Sequence, residues 1–95
     1  MIKEKIKEIF KAADELRVLS GINEVEVSEV TISLWQEGTW NVSVRPAFLC
    51  IREHMHVINR NHTGKDLNKI LDDALSGAEE ELKLLKEGKT RGIWR

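Results

Sequence analysis

The stretch PAFLCIREHMHVIN, residues 46–59, decides the fold. Two readings compete in it. As a helix, it places Pro46 at the first helical position, and Phe48, Ile51, Met55 and Ile58 make an apolar stripe. As strand, Met55 and Val57 face a core while His54, His56 and Ile58 face away. Val57, Ile58 and Asn59 are weak helix formers. A third strand also gives two amphipathic helices a broader surface to cover. We therefore read a bent continuation of a second strand past Pro46, followed by a third strand at about residues 55–60.

Upstream, EVEVSEVTISLW (residues 24–35) alternates and is rich in β-branched residues, so it reads as the first strand. Parity breaks inside it, between Val25 and Val27 on one side and Val30, Ile32 and Leu34 on the other. One extra residue near Ser28 and Glu29, a β-bulge, restores a common face. The register of the hairpin that follows is set by matching apolar residues. A three-residue loop, Gln36-Glu37-Gly38, pairs Leu34 with Trp40, Ile32 with Val42 and Val30 with Val44. Gly38 then takes the left-handed position that such loops require. This register turns Trp40 to the core. It sends Trp35 to the opposite face with Thr31, Ser33, Asn41, Ser43 and Arg45.

Two helices flank the strands. In residues 2–20, Ile2, Ile6, Ile9, Phe10, Ala13 and Leu16 fall on one stripe and the lysines and glutamates off it. In residues 63–87, Leu67, Ile70, Leu71, Ala74, Ala78, Leu82 and Leu85 recur at helical spacing. Thr63 and Asp66 have the spacing of a capping box, and Gly88 is a natural stop. The expected fold is α+β: α-β-β-β-α, a three-stranded antiparallel sheet with two helices packed on one face. Residues 1–88 read as a single domain and residues 89–95 as a basic tail with an apolar pair, Ile93 and Trp94.

Composition narrows the function classes. The chain has 95 residues, 41% hydrophobic and 33% charged, which describes a folded globular chain. A formal net charge of −1 gives no global attraction to nucleic acid or anionic membrane. No apolar run approaches the ~20 residues of a membrane span, so no membrane association is expected. The opening MIKEKIKEIF is charged throughout, unlike a secretory signal, and the single cysteine, Cys50, suits a reducing compartment. A cytoplasmic location is the expectation.

The element order resembles that of double-stranded-RNA-binding domains. Those domains carry a basic cluster at the start of the last helix, which Gly64, Lys65 and Lys69 echo while Asp66, Asp72 and Asp73 dilute it. The segment GKDLNKILDDALSGAEEEL is also similar to the helix after the hairpin in HicB-like antitoxins and in small phage-encoded proteins of unassigned role. Thr63, Leu67, Ala74 and Leu75 carry that likeness. It spans about a quarter of the chain and contains no catalytic motif. It implies an architecture, and a small phage or mobile-element accessory protein.

Candidate chemistry is sparse. His54, His56 and His62 lie close in sequence, with Cys50 and Glu53 nearby. On a strand, His54 and His56 share a face and could reach a metal such as zinc. Paired cysteines or an HExxH motif are absent, so no metal or cofactor is expected. Cys50 lies in the apolar run FLCI, where a buried, inert thiol is the ordinary outcome. With no phosphate-binding glycine loop or nucleophile elbow, the chain is not expected to be an enzyme. The loop read at residues 60–65 could hold an anion at the second helix's N-terminus. With Arg45, Arg52, His54, His56, Arg60, Lys65 and Lys69 it could extend into a nucleic-acid face, and Trp35 would be the stacking platform. The leading expectation is a non-enzymatic binding module. Its partner would be a protein or a second copy of the chain, with Trp35 exposed on the open face. Nucleic-acid binding comes second and a histidine metal site third.

Overall fold

A computed structural model describes residues 2–21, 25–51 and 54–87, with the side chains of Cys50 and Met55 set aside. Arg52, Glu53 and the basic segment with Trp94 therefore lie outside the described residues. The elements are α1 (Ile2–Ser20), β1 (Glu29–Leu34), β2 (Trp40–Ile51), β3 (His54–Gly64) and α2 (Leu67–Lys86). The strands form one antiparallel sheet in the order β1-β2-β3. This is the α+β architecture expected from the sequence, and residues 46–51 and 54–59 are strand, not helix.

The first hairpin has the register that apolar matching dictates: Leu34 opposite Trp40, Ile32 opposite Val42, Val30 opposite Val44. The Trp35 amide donates to the Thr39 carbonyl, and the Gly38 amide donates to the Trp35 carbonyl, both at 2.9 Å. Gly38 has φ of 97°, a value that side chains with a Cβ rarely adopt. Trp40 packs against the core, and Trp35 is half-exposed.

Both helices lie on one face of the sheet. Lys5 reaches Asp72 at 3.0 Å and Lys86 reaches Glu15 at 3.1 Å, so the helices run parallel. Near their N-terminal halves, Ile9, Ala13, Ile70, Leu71 and Ala74 close over Val42 and Val44. Near their C-terminal halves, Leu16, Leu82 and Leu85 close over Phe48. Ala13, Ala74 and Ala78 let the helices approach each other and the sheet, while each large aliphatic contributes about 1.5–3 kcal/mol of burial.

The structure corrects four local expectations. The first strand begins at Glu29. Val25 is buried ahead of it, but Val27 is 73% exposed, so no bulge at Ser28 and Glu29 brings Val25 and Val27 onto the core face. Ser28 instead donates from its hydroxyl to Asp14 of α1 at 2.6 Å. The bulge lies in β2: Val44 faces Arg60 and Ala47 faces Ile58, so Arg45 and Pro46 together oppose Asn59. That is where a residue without an N–H costs the ladder least. The Arg45–Pro46 peptide is cis. The third strand runs on to Gly64, beyond the expected 55–60, because Arg60, Asn61, His62 and Thr63 pair with β2. Finally, α2 starts at Leu67. Its N-cap is Asp66, whose carboxylate accepts from the Asn68 and Lys69 amides, and Thr63 is in the sheet.

Candidate functional site

The sheet presents one covered face and one open face. On the open face, cross-strand rows can be read from the register. Thr31, Ser43 and Asn61 form one row; Ser33, Asn41 and Thr63 form the next. Every side chain in these two rows is polar and uncharged. Glu29 and Arg45, directly opposite each other, border the rows on one side with compensating charges. Trp35, 50% exposed, borders them on the other. Past the bulge, Leu49 pairs with His56 and Ile51 with His54, and all four are exposed.

The candidate binding residues do not form one cluster. Trp35 lies beside Thr39, at the opposite end of the β2–β3 hairpin from Ile51 and His54. Twelve residues of strand separate those ends, about 40 Å. Arg45 sits across from Glu29, six residues along β1 from Trp35 and hence about 20 Å away. Lys69 is exposed on α2. Arg60 faces the helices: its Nη2 lies 4.0 Å from Oε2 of Glu81. His54 and His56 share the open face, as expected of a strand, but His62 pairs with Val42 and faces α2. The three histidines thus do not converge. Among the described residues, no group of three or more histidine, cysteine or acidic side chains is placed to hold a metal ion.

The anion site expected before the second helix is changed by its own neighbours. The amides of Asn68 and Lys69 are taken by the Asp66 carboxylate, which supplies the negative charge the helix terminus favours. Lys65 donates to the Glu37 carboxylate at 2.9 Å and to the Glu37 carbonyl at 3.1 Å. Lys65 and the Thr39 hydroxyl hold the Glu37 carboxyl below the usual carboxylate range. The hairpin tip and the helix start are joined by this pair, and its cation is neutralised.

The covered face holds a polar group that sequence reading missed. Glu81 of α2 is 6% exposed. Its Oε1 accepts from the Phe48 amide at 2.7 Å. β1 pairs with β2 only as far as Arg45, so among the described residues β2 beyond the bulge has β3 as its strand partner. A helix carboxylate supplies an acceptor there. Around it, Pro46, Ala47, Arg60, His62 and Gly77 line a cavity of about 10 Å³ accessible to a water's centre, room for one water at most. A Cβ added at Gly77 would lie 3.6 Å from the His62 ring. Burial pushes the His62 imidazole below its ordinary value; Asp73 opposes that shift and Arg60 adds to it. These groups knit α2 to the bulge. The cavity is too small to admit an organic substrate.

No helix among the described residues is long and apolar enough to cross a membrane. Comparisons with protein-family models, with curated proteins and with solved structures return no match for this chain.

Proposed function

We propose that this chain is a non-enzymatic protein-binding module that works through the open face of its sheet. The observation that carries the reading is the uncharged centre of that face. In a chain with 33% charged residues, Thr31, Ser33, Asn41, Ser43, Asn61 and Thr63 occupy adjoining rows without one charge. A half-exposed indole stands at their border. Interface centres are depleted of charge, and antibody-type paratopes combine adaptable hydroxyl and amide groups with rigid aromatic anchors.

Size constrains how the face is used. At about 40 Å by 10–15 Å it offers roughly 500 Å² before side-chain relief. A standard interface uses about 800 Å² per partner. A stable complex therefore engages the whole face, including Trp35 at one end and Leu49 and Ile51 at the other. A second copy of the chain is the first partner to test. Sedimentation across a concentration series, with Trp35→Ala beside the parent, tests that case, and affinity capture with the same pair tests a different protein. A strictly monomeric parent whose captured proteins are unchanged by Trp35→Ala would refute the reading.

The alternative is a nucleic-acid-binding domain, favoured by parallel helices on one face of a three-stranded sheet. Its charge is poorly arranged: Lys65 is held by Glu37, Arg60 is turned to Glu81, and Arg45 faces Glu29. It predicts retention on RNA or DNA whose logarithm falls linearly with log salt. No retention at low salt removes it.

A further inference from the structure

Three stretches of strand have an edge with no further strand beside it among the described residues: β1, β3, and β2 past the bulge. They are not alike. β2 past the bulge follows Pro46, which has no N–H to offer, and its Phe48 amide is taken by Glu81. β3 carries Arg60, a charge turned inward to Glu81, and such a charge blunts an edge. β1 has neither device. It reads EVTISL, with no lysine, arginine, proline or bulge. An edge of this kind is a template for another strand. Which backbone groups it offers follows from the hairpin. Trp35 and Thr39 are a hydrogen-bonded pair. Bonded pairs alternate along an antiparallel ladder, so Glu29, Thr31 and Ser33 bond to β2. The N–H and C=O groups of Val30, Ile32 and Leu34 therefore point away from the sheet. The side chains of Val30 and Ile32 pack on the core yet stay only partly buried, and Leu34 is 56% exposed.

We propose that a second copy of this chain adds to β1 edge to edge, antiparallel, about a two-fold axis at Ile32. Self-complementarity selects both the occupant and the register. Ile32 then faces Ile32 of the other copy, and Val30 faces Leu34, so every outward N–H and C=O of the strand finds a partner. Centring the seam on Thr31 leaves Leu34 without a strand residue opposite, and centring it on Ser33 does the same to Val30. In the chosen register apolar side chains meet on the covered side, Thr31 meets Ser33 on the open side, and no like charges oppose each other. The seam is short. A six-residue strand buries far less than the about 800 Å² per partner of a standard interface, so the pair alone is weak and forms at high concentration. Its consequence is the surface it makes. Two open faces become one of roughly 1,000 Å², enough for a standard partner. That consequence rests on the function proposed above; the pairing itself does not.

The test uses the full chain. Hydrogen exchange is followed at single amides by NMR over a roughly twenty-fold concentration range, in the parent and in Leu34→Lys. Pairing predicts that exchange at Val30, Ile32 and Leu34 slows at least about three-fold as concentration rises, by mass action. Thr31 and Ser33, already bonded to β2, should not change. Leu34→Lys, at an exposed position, sets a charge against Val30 of the other copy and should remove the effect. Exchange at the three amides that is independent of concentration would overturn the proposal. So would concentration-dependent protection confined to β3 or to residues 47–51, or an effect that Leu34→Lys leaves intact. An open face that binds nothing would leave this exchange pattern in place, and an edge that never pairs would leave Trp35-dependent capture in place, so the two failures are told apart.

Discussion

Along β2, Val42, Val44 and Phe48 turn to the helices and are buried, while Asn41, Ser43 and Arg45 turn the other way. Adjacent residues of one strand thus meet two different demands. On the covered side, the buried Glu81 carboxylate accepts from the Phe48 amide and sits 4.0 Å from a guanidinium. On the open side, six polar groups sit in rows with no fixed geometry demanded of them. The covered face is specified by packing and by satisfied hydrogen bonds, so changes there are read as stability. Changes on the polar, solvent-facing side are expected to cost little stability, and we propose recognition as the reason its centre carries no charge.

The largest effect on this contrast is expected at Phe48, which is 1% exposed under Leu16, Leu82 and Leu85. Phe48→Ala should cost about 3–5 kcal/mol in urea denaturation. A cost below about 1 kcal/mol would mean that the far half of the covered face is not packed. Next comes Glu81→Ala, which strips the acceptor from the Phe48 amide. It should cost about 1–3 kcal/mol, and Glu81→Gln, which keeps a carbonyl oxygen there, should cost less. Equal costs for the two would show that the amide bond is not what holds Glu81 inside.

Gly64 marks where the sheet hands over to α2. A Cβ there would come within 2.9 Å of Ile70 Cγ2. Gly64→Ala should therefore lower stability by about 1–3 kcal/mol, as overpacking does. A neutral result would place α2 farther from the sheet.

His62 links the covered face to pH. Its folded value lies below the ordinary 6.5 because burial disfavours the cation. The unfolded chain therefore binds more protons in that window. Stability should be full above pH 6.5, fall as pH drops through the window, and level off below the depressed folded value. His62→Gln should flatten this slope below about pH 6.5, in denaturation curves taken at each pH, relative to the parent. A slope that survives the substitution would assign the dependence to other groups. The smallest stability effect is expected on the open face. Ser33→Lys with Asn61→Lys, which lie in different rows on strands that do not neighbour each other, should stay within about 0.5 kcal/mol per site.

Much of this architecture was legible before any coordinates. β-Branched alternation, a loop ending in Gly38 and matched apolar pairs together specify the first hairpin's register. Two stripes at helical spacing specify the helices. Three features were not legible, each for a physical reason. Glu81 lies at helical spacing with Ala74, Ala78 and Leu85, but a glutamate in the run EEEL reads as solvent-facing until the Phe48 amide opposite it is known. The bulge at Arg45 and Pro46 needs the partner strand's count, since one strand alone cannot show that Asn59 faces both. Arg60 through Thr63 look like a polar loop, yet their pairing with residues 41–44 makes them strand. That pairing also dispersed the expected cluster of basic and histidine residues, because Arg60 and His62 turn to α2 while Arg45, His54 and His56 do not. The polar rows themselves were half visible: the first hairpin placed Thr31, Ser33, Asn41 and Ser43, but Asn61 and Thr63 joined them only through β3.

The central claim is that the open face binds a protein surface. Its most direct test compares the parent with the Ser33→Lys/Asn61→Lys variant, matched for fold by circular dichroism. Association is followed by sedimentation for the chain alone and in mixture with its captured proteins. The account predicts that the parent forms a complex, with itself or with a captured protein, and that the two introduced lysines abolish it at unchanged stability. A complex that survives both lysines undiminished would contradict it.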